Sequence, residues 1–229
     1  MSEPVSYALD GRVATISMDD GKANVFSIVM LRGLHAAFDQ AENDQAVVVL
    51  RGREGCFSAG FDLKVIREQP DQVGEMLQLG ATLAERVMGF PTPVLTACTG
   101  NCYPAGAFLL LAADARVGVD GPYKIGLNEV RIGLSLPWFA IEIARHRLTP
   151  RAFDRSTVTG RMHSPTEAVE AGFLDAVATP DDFDATVAAW AADLATLDPG
   201  AHKHIKMRAR NAALAALHDA IERDFNRGE

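Results

Sequence analysis

One carboxylate and two glycine-bearing turns are the parts of this sequence whose residue types and order could do chemistry. The carboxylate is Glu129, in the stretch IGLNEVRIGLSLP (125–137), and the turns are CFSAGFDLK (56–64) and TGNCYPAGA (99–107). Each turn follows an apolar run typical of a buried strand, and Pro104 suits the first position of a helix. The first N–H groups of a helix lack intrahelical partners and lie at the positive end of its dipole. Such turns could hold an oxyanion, although either one alone is also consistent with a close-packed junction without chemistry.

The elements that must position these turns alternate between strand and helix along the chain. Alternating residues around Asp10-Gly11 predict a hairpin over 5–18, and Ser27 suits the N-cap of the next helix. Further buried strands are predicted at 46–52, 94–98, 115–119 and 173–179, and helices at 28–42, 71–89, 138–146, 149–160 and 164–172. This alternation favours parallel pairing in an α/β fold. From Asp181 to Arg227 the sequence is Ala-rich and predicts helix.

Length, charge and cysteine content limit the class of protein. A chain of 229 residues is long enough for one sizeable core, or for one core with a small appendage. A net charge of −8 argues against a nucleic-acid partner and against attraction to anionic membranes. Neither a signal peptide nor an apolar run long enough to span a bilayer is recognisable. Cys56, Cys98 and Cys102 lack metal-site spacing, so reduced thiols, a cytoplasmic location and no metal are expected.

Three segments carry a resemblance to a known family. In order, CFSAGFDLK, TGNCYPAGAFLLLAAD and IGLNEVRIGLSLP resemble the crotonase (enoyl-CoA hydratase/isomerase) superfamily, and the likeness covers most of the chain. It implies an α/β fold, a crotonase-like spiral of repeated ββα units (1–190) with a helical C-terminal oligomerisation segment (191–229). The family assembles as trimers or dimers of trimers, so a homo-oligomer is expected. Its substrates are acyl-CoA thioesters; because coenzyme A is part of the substrate, no separate cofactor is expected.

The same resemblance assigns roles in binding the thioester. By motif position, the family's two oxyanion-hole N–H groups fall on Phe61 and Ala105. Chemistry at the α-carbon of a thioester builds an enolate, and each preorganised N–H donor is typically worth about 3–4 kcal/mol there. Contacts with coenzyme A are implied for residues of the first turn and for one lysine before it: Ala59, Asp62, Leu63, Lys64 and Lys22. Each lysine is also consistent with a solvated charge, and Asp62 with a structural hydrogen-bonding group.

The residues at the family's acid–base positions favour an isomerase. Of the two glutamates in the hydratase pattern, the later one matches Glu129, whereas the one in the central helix falls on Phe108, which cannot transfer protons. One carboxylate suits removal of a proton from C2 and its return to C4, the shift of 3-enoyl-CoA to 2-enoyl-CoA. An apolar pocket would raise its pKa toward neutrality, as a base needs. Phe108 and Trp138 are expected to line the acyl pocket.

Other interpretations remain open at this point. Glu129 could be a loop carboxylate paired with Arg131. The protein could be an enoyl-CoA hydratase of fatty-acid β-oxidation, or an acyl-CoA-binding member of the family without turnover. The sequence also departs from the family pattern: Pro-Ala-Gly replaces the usual GGG turn, and the common EG…AF…KR ending is missing after DFNRGE. The basic stretch HKHIKMRAR (202–210) could contact the phosphates of coenzyme A, but a solvated face is the favoured interpretation.

Overall fold

The computed structural model describes residues 3–225, which form helices and strands in alternation. The strands are β1 (Val5–Asp10), β2 (Val13–Met18), β3 (Val25–Phe26), β4 (Val47–Arg51), β5 (Gly55–Ser58), β6 (Gly60–Phe61), β7 (Val94–Cys98), β8 (Gly100–Cys102), β9 (Ala115–Val119), β10 (Ile125–Gly126), β11 (Met162–His163) and β12 (Ala176–Ala178). The helices are α1 (Ile28–Asn43), α2 (Leu63–Glu68), α3 (Pro70–Gly89), α4 (Pro104–Ala112), α5 (Trp138–Arg147), α6 (Pro150–Thr157), α7 (Pro165–Ala171), α8 (Phe183–Leu194), α9 (Pro199–Ala209) and α10 (Asn211–Phe225). A short 3₁₀ helix covers Glu129–Ile132.

The strands form one large sheet and two smaller ones. The large sheet has six strands in the order β1-β2-β4-β7-β9-β12, and the smaller ones are β11-β10-β8-β5 and β3-β6. In the large sheet only the β1–β2 hairpin is antiparallel, and it turns at Gly11 with φ +56°. The other neighbours pair in parallel. The predicted hairpin and the predicted parallel α/β pairing are therefore confirmed.

The core lies on both faces of the large sheet because strand side chains alternate in direction. Val48 and Leu50 of β4 belong to the main cluster, with the buried residues of α1, α3, α4 and α5. Val49 faces the other way, into a smaller cluster covered by α8. Helix α4 is buried from Ala105 to Ala112, as its unbroken apolar sequence predicts. None of the helices within residues 3–225 is long and apolar enough to cross a membrane.

Local signals fixed several helix boundaries. Ser27 caps α1 by accepting a hydrogen bond from the Met30 N–H at 3.2 Å. At α7, Ser164 and Glu167 form a reciprocal capping box, and Gly172 follows the helix with φ +101°. The predicted caps at Ser27 and Ser164 are confirmed, and Pro104 is the first residue of α4 as expected.

The C-terminal helices pack on the rest of the same chain. The boundary expected after residue 190 falls inside α8, whose Phe183, Val187 and Ala191 all pack on the large sheet. The apolar face of α10 packs on α3 and α5 of its own chain, so this face does not need a second subunit to cover it. Residues 226–229 of the predicted oligomerisation segment lie outside the described residues.

The basic stretch 202–210 is not simply a solvated face, because two of its cations are buried. Lys206 Nζ lies 2.7 Å from Asp114 Oδ2, and an Arg210 nitrogen lies 2.9 Å from Asp114 Oδ1. The same carboxylate accepts the Val94 N–H at 2.8 Å. Burial lowers the pKa of Lys206 to about 8, although the nearby Asp114 acts in the opposite direction. Asp114 therefore fastens α9 and the start of α10 to the end of α4.

Candidate active site

A cavity of about 590 Å³ lies beside the two glycine-bearing turns and has a mostly apolar lining. One wall comes from α2 and α3 and includes Leu63, Ile66, Val73 and Leu77. Another part of the lining comes from the end of the 3₁₀ helix and the segment before α5, with Ile132, Leu134, Leu136 and Pro137. Polar lining residues are few: Tyr103, Asn128, Glu129 and Ser135. Such a site suits an apolar ligand that is oriented by a small number of polar groups.

The two turns meet at this cavity because β5 and β8 are parallel neighbours, so their carboxyl ends share one edge. The Tyr103 N–H donates to the Ser58 carbonyl oxygen at 2.8 Å, which ties the second turn to the first. Gly106 allows the close approach of α4: a Cβ atom there would lie 2.7 Å from Ser58 Cβ. The sequence motifs are therefore brought together by strand pairing and by one missing side chain.

The start of α4 leaves a backbone donor near the first turn. Ala107 is the first residue of α4 whose N–H reaches back to the turn, donating to the Tyr103 oxygen at 2.9 Å. The Ala105 N–H precedes it and belongs to the unpaired first turn of the helix. A Cβ atom placed on Gly60 would lie 3.6 Å from the Ala105 nitrogen, and Gly60 has φ +90°. The Ala105 nitrogen thus lies close to Gly60.

Strand pairing also determines the direction of the Phe61 N–H. The next N–H, of Asp62, points to the Phe26 carbonyl oxygen on the β3 side at 3.4 Å. Because successive N–H groups of a strand alternate in direction, the Phe61 N–H points away from β3. Both Gly60 and Phe61 line the cavity. Ala105 is buried and is not among the lining residues, so a joint contact of the two predicted oxyanion residues with a thioester oxygen stays a prediction.

Gly106→Ala should destabilise the protein, the reverse of the usual effect of this change in a helix. Alanine normally gains about 0.5–1 kcal/mol over glycine in a helix interior. Here the added methyl group would collide with Ser58, whose hydroxyl accepts the Gly60 N–H at 3.1 Å. We expect a net loss of about 1–3 kcal/mol in the free energy of unfolding. Urea denaturation measures it directly.

Gly74→Ala is the matched control for this prediction. Gly74 lies in α3, and a Cβ atom there would meet nothing within 4 Å. This variant should gain about 0.5–1 kcal/mol. Equal stabilisation of both variants would contradict the close packing of α4 on Ser58.

Glu129 is a buried carboxyl at the wall of the cavity. Glu129 is 8% exposed, and its Oε2 atom is buried without a hydrogen-bond partner among the described residues. Burial raises the pKa of Glu129 to about 7, against the opposite effect of its own backbone N–H. Arg131 instead donates from Nε to the Gly160 carbonyl oxygen at 2.6 Å. The alternative of a loop carboxylate paired with Arg131 is therefore wrong.

The two expected acyl-pocket aromatics lie in different environments. Phe108 lines the cavity and packs edge-on against Phe139, with ring centroids 5.6 Å apart. Trp138 does not lie in the cavity lining. Trp138 is 46% exposed at the start of α5, where the Arg223 guanidinium lies 3.4 Å from the centre of the indole ring. The expectation for Trp138 is corrected, because the chain turns at Pro137 and directs this side chain outward.

The residues expected to contact coenzyme A are likewise divided. Ala59 and Leu63 line the cavity. Asp62 caps α2 by accepting the Lys64 N–H at 2.9 Å, which agrees with a structural role. Lys22 and Lys64 are exposed, and Lys64 lies 3.9 Å from Glu68. Contacts of these residues with coenzyme A stay a prediction.

Sequence reasoning missed much of the cavity wall. Apolar residues of α2 and α3 and the polar Tyr103, Asn128 and Ser135 carry no recognisable chemical motif. A usable signal existed in IGLSLP, where Ile132, Leu134 and Leu136 alternate with small residues and so share one side of the chain. Within residues 3–225, no group of three or more His, Cys, Asp or Glu side chains is arranged to hold a metal ion.

Comparison with known proteins agrees with this architecture. The family model described as "Enoyl-CoA hydratase/isomerase" matches residues 9–227. An enoyl-CoA hydratase/isomerase family protein from Pseudomonas syringae superposes with a TM-score of 0.95 at 42% identity, over 98% of this chain and 97% of that one. Human mitochondrial enoyl-CoA delta isomerase 1 is 26% identical over 90% of this chain and 70% of its own length. A probable enoyl-CoA hydratase from Bacillus subtilis is 31% identical over 59% of this chain and 54% of its own length.

The mixed α/β core, followed by helices, places two strand-to-helix turns and one buried carboxyl around an apolar cavity. This arrangement is that of a protein of the crotonase class. The chain belongs to the enoyl-CoA hydratase/isomerase family. The resemblance found in the sequence is confirmed, and so is the crotonase-like α/β fold with a helical C-terminal region. Relatives carry both the isomerase and the hydratase name, so membership establishes the family and not the reaction.

Proposed function

We propose that this protein shifts the double bond of 3-enoyl-CoA to give 2-enoyl-CoA, with Glu129 as its proton-transferring side chain. The observation that carries the proposal is a carboxyl buried in an apolar wall, the only one that lines the cavity among residues 3–225, and burial raises its pKa to about 7. A base with this pKa is partly deprotonated at neutral pH and is a competent acid once it is protonated. The same group can therefore take a proton and return it.

The proposed reaction begins with removal of a C2 proton by the Glu129 carboxylate. The C2–H electron pair moves into an enolate whose negative charge lies on the thioester oxygen. The N–H groups of Phe61 and Ala105 stabilise this charge, since backbone donors at a helix start need no reorganisation. The protonated Glu129 then donates the same proton to C4, and the double bond moves from C3=C4 to C2=C3. No atom is gained or lost, and coenzyme A enters only as part of the substrate.

Isomerisation is favoured over hydration by the position of Phe108. Hydration requires a water that is held and deprotonated as it attacks C3, which is work for a second polar group. Phe108 contributes an apolar ring to the cavity and cannot orient a water. Its ring also helps keep Glu129 desolvated and thus basic. Similarity to the human delta isomerase supports the same choice.

Hydration is the second candidate, supported by three polar lining residues and by the name of the Bacillus subtilis relative. Tyr103, Asn128 and Ser135 all lie in the cavity lining, where they could hold a water against the substrate. Under this alternative Glu129 alone would deprotonate the water. The product would be a 3-hydroxyacyl-CoA.

A paired assay distinguishes the two reactions. The unmutated protein is given 3-enoyl-CoA and 2-enoyl-CoA in separate reactions, and the 2-enoyl and 3-hydroxyacyl products are quantified separately by chromatography. We expect isomerisation to be faster than hydration. A hydration rate well above the isomerisation rate would reject the isomerase proposal, and absence of both reactions would favour a binding protein.

The pH dependence of turnover gives an independent check on Glu129. The base must be deprotonated, and burial raises its pKa to about 7. The value of kcat/KM should therefore rise with pH, with a midpoint near 7, and fall about tenfold per pH unit well below it. A carboxyl with the ordinary pKa of 4.5 would instead give a flat profile between about pH 6 and 8.

We also propose a cytoplasmic homo-oligomer, a trimer or a hexamer, on the basis of family membership. The described structure already covers the apolar face of α10 within one chain, so this proposal does not depend on that face. Light scattering measures the particle mass in solution. A monodisperse monomer would reject the assembly.

A further inference from the structure

Helix α5 begins without a cap from its own sequence. Its N-cap residue is Pro137, which makes no side-chain hydrogen bond to the helix. The segment before it, including Leu136 and Pro137 itself, forms one wall of the cavity and leads back to Glu129. The start of α5 is therefore the far anchor of the loop that carries the proposed base.

The last turn of α10 supplies the missing cap from across the sequence. Asp224 accepts the Trp138 N–H on Oδ1 at 3.1 Å and the Phe139 N–H on Oδ2 at 2.9 Å. A carboxylate at this place satisfies two orphan donors and is favoured by the helix dipole. The near end of the loop is fastened independently, because the Leu134 N–H donates to the Glu129 carbonyl oxygen at 2.9 Å.

Aromatic packing continues the same contact into the cavity. Phe225 stacks on Phe139, with ring centroids 6.2 Å apart and planes at 28°. Phe139 is fully buried and packs edge-on against Phe108 at 83°, and Phe108 is part of the cavity lining. Three aromatic rings therefore connect the end of α10 to the active-site wall.

We propose that Asp224 and Phe225 are positioning residues of the active site, which hold the wall between Glu129 and Phe108 closed against water. This inference rests on the proposed role of Glu129 as the base. Asp224 acts by fixing the start of α5, and Phe225 acts by supporting Phe139 behind Phe108. Neither side chain belongs to the cavity lining, so both act through other residues.

The consequence concerns desolvation. Burial is the main cause of the raised pKa of Glu129, and its own backbone N–H acts in the opposite direction. Loosening either contact would admit water beside the carboxyl and lower its pKa toward the ordinary 4.5. Displacement of the Glu129 carboxylate by up to about 1 Å would also slow proton transfer, by up to about a hundredfold.

The test compares Asp224→Ala, Asp224→Asn and Phe225→Leu with the matched control Asp219→Asn. Asp219 lies on α10, is exposed and loses the same charge, but it makes no hydrogen bond or ion pair with α5 among the described residues. Asp224→Asn changes the charge as Asp224→Ala does and keeps one acceptor oxygen. Phe225→Leu leaves the charge unchanged. For each protein we measure kcat/KM for 3-enoyl-CoA and titrate the Glu129 carboxyl directly by ¹³C NMR without substrate.

We expect the midpoint of the Glu129 titration to fall by about one pH unit or more in Asp224→Ala and Phe225→Leu. Their kcat/KM should drop about ten- to a hundredfold. The kcat/KM of Asp224→Asn should lie between those values and the value of the parent protein. Asp219→Asn should match the parent. A general loss of stability would not move this midpoint in the folded protein.

Folded Asp224→Ala and Phe225→Leu variants with the parental midpoint and kcat/KM would overturn the inference. Should Asp224→Ala fail to fold, Asp224→Asn and Phe225→Leu decide the question by the same readouts. The NMR titration separates this inference from the proposed function. A parent protein without isomerase activity rejects the function, whereas an unmoved midpoint in the variants rejects the positioning role.

Discussion

Glu129→Gln should nearly abolish isomerisation and preserve thioester binding, because it removes the only carboxyl that lines the cavity in the described part of the chain. The amide fills the same volume but cannot accept the C2 proton. Loss of a general acid–base group should lower kcat by about 10²- to 10⁴-fold, with little change in the dissociation constant for a non-reactive acyl-CoA. Single-turnover kinetics and calorimetric titration measure the two quantities separately.

Glu170→Gln is the control for this change. Glu170 is exposed, lies in α7 and is not part of the cavity lining. The Glu170→Gln variant makes the same carboxyl-to-amide replacement with the same change of charge. Because Glu170 lies outside the cavity lining, the turnover of this variant should equal that of the parent protein. Substantial isomerase activity in Glu129→Gln would mean that another group is the base, and Tyr103 is the other titratable side chain of the lining among the described residues.

The Glu129→Gln variant should also be more stable than the parent protein above about pH 4.5. The folded-state pKa of Glu129 is about 7, against an ordinary value of 4.5, so the folded protein holds its proton more tightly than the unfolded chain. Keeping the charged carboxylate buried above pH 7 costs roughly 3 kcal/mol, at 1.36 kcal/mol per pKa unit. The stability advantage of glutamine should be absent below about pH 4.5, grow up to about pH 7 and then level off. Urea unfolding at a series of pH values measures it.

The sequence predicts the parts of this protein that depend on local pattern. The hairpin at Asp10-Gly11 and the capping box at Ser164 follow from residue types a few positions apart. The unbroken apolar run 107–113 predicts the buried helix α4 in the same way. Glu129 could be singled out because its motif lies in register with two turns, and the structure adds the apolar surroundings that shift its pKa.

The parts that the sequence could not predict depend on contacts between distant segments. Trp138 reads as an acyl-pocket aromatic, and only the position of Arg223 and the turn at Pro137 show that it faces outward. Lys206 and Arg210 read as solvated cations within a basic run, yet they are buried against Asp114. Charge pattern along a chain does not reveal a carboxylate about ninety residues away in sequence.

Asp114→Ala should produce the largest loss of stability among the changes considered. The substitution leaves the buried cations of Lys206 and Arg210 without their carboxylate, and it also removes the acceptor of the Val94 N–H. Removing one partner of a buried ion pair typically costs about 3–5 kcal/mol, because the remaining charge stays desolvated. Chemical denaturation should show this loss, and hydrogen exchange should show early opening of α9 and α10, since Asp114 connects them to the end of α4.

Asp184→Ala is the surface counterpart of this experiment. Asp184 pairs with Arg51 at 3.1 Å, but the carboxylate side chain is 76% exposed, so the loss should stay within about 1 kcal/mol. The double variant Asp114→Ala/Lys206→Met tests the cause of the larger loss. It removes one stranded cation and should recover part of the stability, because a buried charge without a partner costs more than an apolar side chain of similar length. If Asp114→Ala were no more destabilising than Asp184→Ala, the ion pairs of Asp114 with Lys206 and Arg210 would stabilise α9 and α10 no more than a surface ion pair does.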